Sequence, residues 1–240
     1  MIRIIYALIM ILAGVAALTS SVLAQDKNRS DKDKAKDLRA AVDRVNSASN
    51  VVDQIMRTSD RSIPRDLLAK TKAIVVFPGA LKAAFILGGQ GGKGVVIRRE
   101  SGGWSAPAFL TMAGGSIGAQ IGGQKTDYIL LIMNDKGLKN LLKDKFEIGG
   151  EASVAGGPVG RTASASTNVT LDAEILSYSR SKGLFAGVAL KGVVIAQDDD
   201  LNWSVYEKTG KEVIGTPAML SNEAPATLQR LSRTVATYAR

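Results

Sequence analysis

Two glycine-rich strings and one basic turn are the places where residue type and spacing could support chemistry. Gly89-Gln-Gly-Gly-Lys-Gly94 has the glycine spacing shared by dinucleotide-binding turns and kinase phosphate loops. A dinucleotide site needs a helix opening at the third glycine so that its N-terminus receives the pyrophosphate, whereas Val95-Val-Ile-Arg-Arg99 reads as a strand. A kinase would tolerate that strand but would carry His-Arg-Asp and Asp-Phe-Gly downstream, and neither tripeptide occurs. Lys93 is followed by Gly94 rather than by Ser or Thr, and the spacing back to Gly88 is too short for a P-loop. No nucleotide is expected, and the string predicts a tight glycine turn between strands.

The second string, Gly114 to Gly123, places Ser116 between Gly114 and Gly118 at the spacing of a nucleophile elbow. No strand-to-helix turn surrounds it, and close backbone packing accounts for its glycines. The chain has no His and no Cys. That removes disulfides, Cys–His and Ser–His nucleophile systems, and ordinary zinc or copper sites. Nor are the acids spaced to hold an oxygen-ligated metal. Serine activated by lysine is the enzymatic route left open. With the usual acid–base groups missing, no catalytic residue, metal or cofactor is expected.

The basic turn is Arg180-Ser181-Lys182-Gly183, flanked by runs rich in Ile, Leu, Tyr, Phe and Val. The pattern predicts a β-hairpin whose glycine supplies a positive φ. With those four residues as the loop, Ser179 faces Leu184, Tyr178 faces Phe185, and two cations stand at the tip.

These residues must be held by a fold, and 240 residues at 45% hydrophobic suffice for one core or at most two. With 25 glycines and 5% aromatics, strands must pack closely through small residues, which favours sheet over bundle. Met1 to Ala24 has one cation, an apolar run from Ile4 to Leu18, and Val22-x-Ala24 before Gln25. This reads as a secretory signal peptide, with an uncleaved anchor as the alternative; either way the bulk is exported, to the periplasm or cell envelope. Residues 25–37 are almost all polar and predict a flexible tether. From Leu38 to Met56 apolar residues recur at three and four, an amphipathic helix that either docks on the sheet or enters a membrane.

A short helix follows, capped by Ser62, with Pro64 in its first turn and its end near Lys70. Strands are expected at 73–77, stopped by Pro78-Gly79, then at 82–89, 94–98, 104–109, 117–121 and 127–133. Asn134 should cap a helix running to Lys143. Further strands are expected at 145–148, 153–159, 168–178, 184–195 and 203–206, and Ser221 or Asn222 should start a terminal helix. The architecture is α+β: a mainly antiparallel or barrel-like sheet with N-terminal helices, one mid-chain helix and a C-terminal helix. A net charge of +9 points to an anionic partner, whether phospholipid headgroups, nucleic acid or an envelope polyanion.

Several motifs occur together in a fixed order: Ile74-Val-Val-Phe-Pro-Gly79, Gly88-Gly-Gln-Gly-Gly-Lys-Gly94, Trp104-Ser-Ala-Pro-Ala-Phe109, Gly114-Gly-Ser-Ile-Gly118, Leu142-Lys-Asp-Lys145, Gly156-Gly-Pro-Val-Gly-Arg161 and Ser177 to Gly187. Over roughly residues 37–206 the chain resembles the SYLF domain in its bacterial exported form, with residues 207–240 as a C-terminal extension. The resemblance implies a non-enzymatic lipid-binding module. Eukaryotic SYLF proteins bind phosphoinositides and other anionic phospholipids, and the yeast branch also binds actin. For an exported protein actin is not an expected partner, nor is nucleic acid; phosphatidylglycerol, cardiolipin and phosphatidic acid are the available ligands. Arg180 and Lys182, then Lys93, Lys82 and Arg161, are the lipid-binding candidates, because each lies in a family motif at a strand end or turn. A structural or scaffold protein of the envelope, binding a protein or polyanion through the same basic surface, is the rival expectation.

Overall fold

The computed structural model describes residues 31–58, 62–84, 88–116, 122–160 and 172–239; the leader segment and Arg161 lie outside them. Residues 31–56 are helical (α1). Residues 31–37, read from composition as a tether, are thus helix: Asp31 and Lys34, and Asp33 and Lys36, stand three apart with the acid leading, which supports an exposed helical turn. Contacts divide the chain into a unit ending at Ala40 and a unit from Ala41 onward. In the latter, Ala41, Val45, Ala48, Val52 and Ile55 follow the helical repeat and are all buried. They pack with Ile74, Val76, Ile97, Ile129 and Leu176, so this stripe docks on the sheet. Among the described residues no helix is long and apolar enough to cross a membrane.

The strands are β1 (Ala73–Ala84), β2 (Gly88–Glu100), β3 (Gly103–Trp104), β4 (Ala108–Ser116), β5 (Gly122–Ile132), β6 (Lys145–Ile148), β7 (Val154–Gly156), β8 (Ile175–Ser181), β9 (Leu184–Gly187) and β10 (Val193–Gln197). Eight lie in the order β6-β10-β4-β2-β1-β5-β8-β7, with β3 on β2 and β9 on β8. All pairings are antiparallel except β7 with β8. Successive side chains of β1 go to opposite sides. Ile74 and Val76 join the cluster under α1, while Val75 and Phe77 join a second cluster with Leu110, Leu130, Phe146 and Ile195. Burial on both faces is why this strand reads as an unbroken apolar run.

Two expectations about β1 and β2 are corrected. Pro78-Gly79 does not stop β1; the register shifts between Phe77 and Ala80, and Gly79 takes φ 59°, a bulge after which pairing resumes to Ala84. The glycine string 88–94 is no turn but the first half of β2. Its glycines make room for β1: a Cβ at Gly94 would run into the Phe77 ring, and one at Gly92 would lie 2.8 Å from the Ala80 Cβ.

α2 (Arg65–Lys70) has Pro64 rather than Ser62 at its cap position, and no side chain caps it. α3 (Asp135–Leu141) is capped as expected, Asn134 accepting from the Gly137 amide at 2.9 Å. Residues 203–206, expected as strand, belong to helix α4 (Asp199–Tyr206). There Asn202 holds the edge of β4, accepting from the Phe109 amide at 2.8 Å and donating to its carbonyl at 3.0 Å. α5 (Gly210–Ile214) opens on a Thr209–Glu212 capping box. The terminal helix begins later than Ser221: two 3-10 turns, Ser221–Glu223 and Ala226–Leu228, precede α6 (Arg230–Tyr238). Leu228, Leu231 and Val235 are fully buried beside the α1 stripe.

Candidate functional site

The hairpin that carries the leading candidates is built differently from its sequence reading. Ser181 pairs with Leu184 and Arg180 with Phe185, leaving a two-residue turn of Lys182 (φ 49°) and Gly183 (φ 79°). Two positive φ values are what a right-twisted two-residue hairpin needs. The expected register is off by two residues, and because strand side chains alternate with period two, each residue keeps its face. Tyr178 and Phe185 therefore still stack, as diagonal rather than opposite neighbours, with ring centroids 5.4 Å apart. Tyr178 is fully buried, its hydroxyl donating to the Pro158 carbonyl at 3.3 Å, and burial pushes its pKa far above the usual phenol value.

The shift moves Arg180 off the tip into β8. Its guanidinium reaches Asp127 Oδ2 through Nε at 2.9 Å and Nη2 at 2.7 Å, and donates from Nη1 to Gln54 of α1. Its charge is already compensated. Lys182 is the cation at the tip, and it is exposed. Lys93 is exposed in β2 opposite Thr111; Lys82 is half-buried in β1 between Gln90 and Gln124.

Register relates these lysines. Lys82 of β1 is level with Gln90 of β2, Gly114 of β4 and Val193 of β10, and the Ser181 hydroxyl before the turn donates to the Lys125 carbonyl of β5 at 3.4 Å. Lys82, Lys125, Lys182 and Lys191 thus belong to the end of the sheet where β1 finishes and β2, β5 and β10 begin, with Lys93 just inside it. Among the described residues none of these five forms an ion pair. Leu81 and Leu184, 56% and 66% exposed, lie at the same end. Two acids share this end: Asp127 is taken by Arg180, and Glu147, exposed on the edge strand β6, is level with Val194, Ala113, Gly91 and Leu81. Asp135, Asp144, Glu174 and Asp198, near the opposite strand ends, are paired to Lys72, Lys211, Lys136 and Arg44.

Sequence reasoning named Lys82, Lys93 and Lys182 but missed Lys125 and Lys191. The available signal was the missing acid: residues 67–99, 101–126 and 175–197 contain no Asp or Glu, and all five lysines fall in these segments, although Arg98 and Arg180 from the same segments reach Glu100 and Asp127 beyond them. Among the described residues no three acids gather to hold a metal.

Comparison with known proteins places the chain in a family. Residues 113–238, from the middle of β4 to the end of α6, match the family model described as "Ysc84: Las17-binding protein actin regulator". LAS seventeen-binding protein 3 of Saccharomyces cerevisiae is 35% identical over 152 residues, 62% of this chain and 33% of that protein. Protein YSC84 of the same yeast is 33% identical over 152 residues, 62% of this chain and 32% of that protein. The human SH3 domain-containing YSC84-like protein 1 is 32% identical over 149 residues, 61% of this chain and 43% of that protein. The chain spans about a third to two fifths of the length of these relatives. The family match covers more than half of the chain, and on it the protein belongs to the Ysc84, or SYLF, family.

Proposed function

We propose that this protein is a non-enzymatic module that binds anionic phospholipid surfaces with the lysine-bearing end of its sheet. The observation that carries the reading is the set Lys82, Lys93, Lys125, Lys182 and Lys191, none of them ion-paired among the described residues, at the sheet end that also exposes Leu81 and Leu184. Cations beside exposed leucines suit a headgroup layer, where the charges meet phosphates and the leucines reach the acyl boundary. In the exported setting that residues 1–24 imply, phosphatidylglycerol and cardiolipin are the ligands at hand. The test is sedimentation with phosphatidylglycerol and with phosphatidylcholine vesicles. Binding to the first alone, weakened at least tenfold in Lys125→Gln/Lys182→Asn protein, is the expected result; equal binding by wild type and variant overturns the assignment.

A second reading takes its support from the family description, which names a protein partner and an actin regulator. There the same basic end would serve as a scaffold for a protein or polyanion. Vesicle binding that is absent at every headgroup, together with retention on an immobilised polyanion, would favour it.

A further inference from the structure

Away from the lysine end, α1 and the C-terminal segment enclose an open groove of about 480 Å³ lined by Val42, Asn46, Ala226, Thr227, Arg230, Arg233 and Thr234. Among the described residues its two arginines are held by neutral acceptors. Arg230 donates from Nη1 to Asn46 Oδ1 at 3.1 Å and from Nη2 to Asn50 Oδ1 at 2.7 Å; Arg233 donates from Nη2 to the Ala226 carbonyl at 3.0 Å. Neither has an ion pair among the described residues. The nearby carboxylate that feels Arg230 is Asp53, and it is taken by the Tyr238 hydroxyl at 2.6 Å and by Arg57 Nε at 2.9 Å. Both guanidiniums are thus oriented without being neutralised.

The arrangement costs stability. Arg230 opens α6 and Arg233 stands one turn in, with no acid in that turn and no side-chain cap. Two cations there oppose the positive end of the helix dipole, where a carboxylate would stabilise. An incoming anion reverses that penalty.

We propose that this groove is a binding site for a phosphomonoester. The planar donor forks of two arginines at positions three apart suit a phosphate dianion, which spreads its charge over three acceptor oxygens. The Thr227 and Thr234 hydroxyls are further donors at its walls, and Val42 and Ala226 offer apolar surface to the organic part of the ester. The volume falls in the range of small-molecule pockets, well beyond a bare ion. The same headgroup chemistry exists free in solution and on phosphatidic acid. The site shares no residue with the lysine end, so it stands or falls apart from the membrane reading.

The test is calorimetry of the full chain with glycerol 3-phosphate, paired with sedimentation on vesicles containing phosphatidic acid. Saturable binding of the soluble ester that falls at least tenfold in Arg230→Gln/Arg233→Gln protein supports a soluble ligand. Binding to the vesicles alone, with the same loss, supports the lipid source. Because Arg230 also ties α6 to α1, the single Arg233→Gln variant guards against misfolding and should weaken binding severalfold with a thermal midpoint no lower than wild type. Lys125→Gln/Lys182→Asn protein should retain glycerol 3-phosphate binding in full. The proposal is overturned if wild type shows no saturable response to either probe, or if both arginine variants bind as wild type does.

Discussion

Asp127 does two jobs with one carboxylate: Oδ2 takes Arg180, and Oδ1 accepts the Gly79 amide of the β1 bulge at 2.7 Å. Asp127→Ala leaves a half-buried guanidinium and a bulge amide without partners, and should cost about 2 kcal/mol in urea unfolding. Lys182→Asn should leave the unfolding midpoint unchanged, since the side chain is exposed and Asn tolerates a left-handed backbone. Gly94→Ala sets a methyl against the Phe77 ring and should destabilise by about 1–3 kcal/mol. Glu174 supplies a pH dependence. Burial pushes its pKa up, but Lys136 at 2.7 Å and hydrogen bonds from Ser153 outweigh this and hold it below the ordinary glutamate value. Its folded pKa being the lower, its contribution is full above the ordinary glutamate range and is lost as pH falls through the depressed value. Glu174→Gln should therefore flatten the acid limb of a stability–pH curve measured by urea unfolding.

At the scale of elements, α1 is fastened as well as packed. Arg44, 8% exposed, pairs with Asp198 at 2.8 Å ahead of α4 and lies 5.4 Å from the Phe109 ring centroid. Arg44→Ala leaves a largely buried carboxylate unpaired and should cost about 3 kcal/mol. Hydrogen exchange should then rise in residues 41–56 before it rises in β1 or β5. The α1 stripe was legible in sequence because its three–four spacing depends on one element alone, whereas its Arg44 anchor depends on Asp198, 154 residues later. The same distinction explains the strands. Alternation and apolar runs marked β1, β5 and β6, but Pro78-Gly79 reads identically as a stop and as a bulge until β5 is alongside to supply Asp127. The 88–94 glycines read as a turn because their partner, Phe77, belongs to another strand. At the site, the hairpin and its Tyr178–Phe185 contact were visible locally. Compensation of Arg180 was not, since its partners lie 53 and 126 residues away.

For the molecule as a whole, what matters is how a net charge of +9 is spread. One end of the sheet carries five lysines with no ion pair among the described residues, while several cations near the other end are tied to carboxylates or carbonyls: Lys72 to Asp135, Lys136 to Glu174, and Arg99 to the Leu68 and Thr71 carbonyls. Such a molecule orients in a field before it makes any contact. Approaching an anionic surface it should turn its lysine end inward, and each cation there contributes about 1 kcal/mol. Lys125→Gln/Lys182→Asn should then weaken vesicle binding by about ten- to thirtyfold. Raising salt from low to physiological strength should shrink that difference, because exposed charges more than about 10 Å from a headgroup are screened. Leu81→Ser/Leu184→Ser tests the apolar share separately: it should weaken binding at high and low salt alike, since burial of these leucines does not depend on ionic strength. If instead Arg180→Lys, which keeps the charge and spares much of the Asp127 pair, weakens binding as strongly as the lysine variant, orientation by the lysine end is wrong and the membrane meets the hairpin from the β8 side.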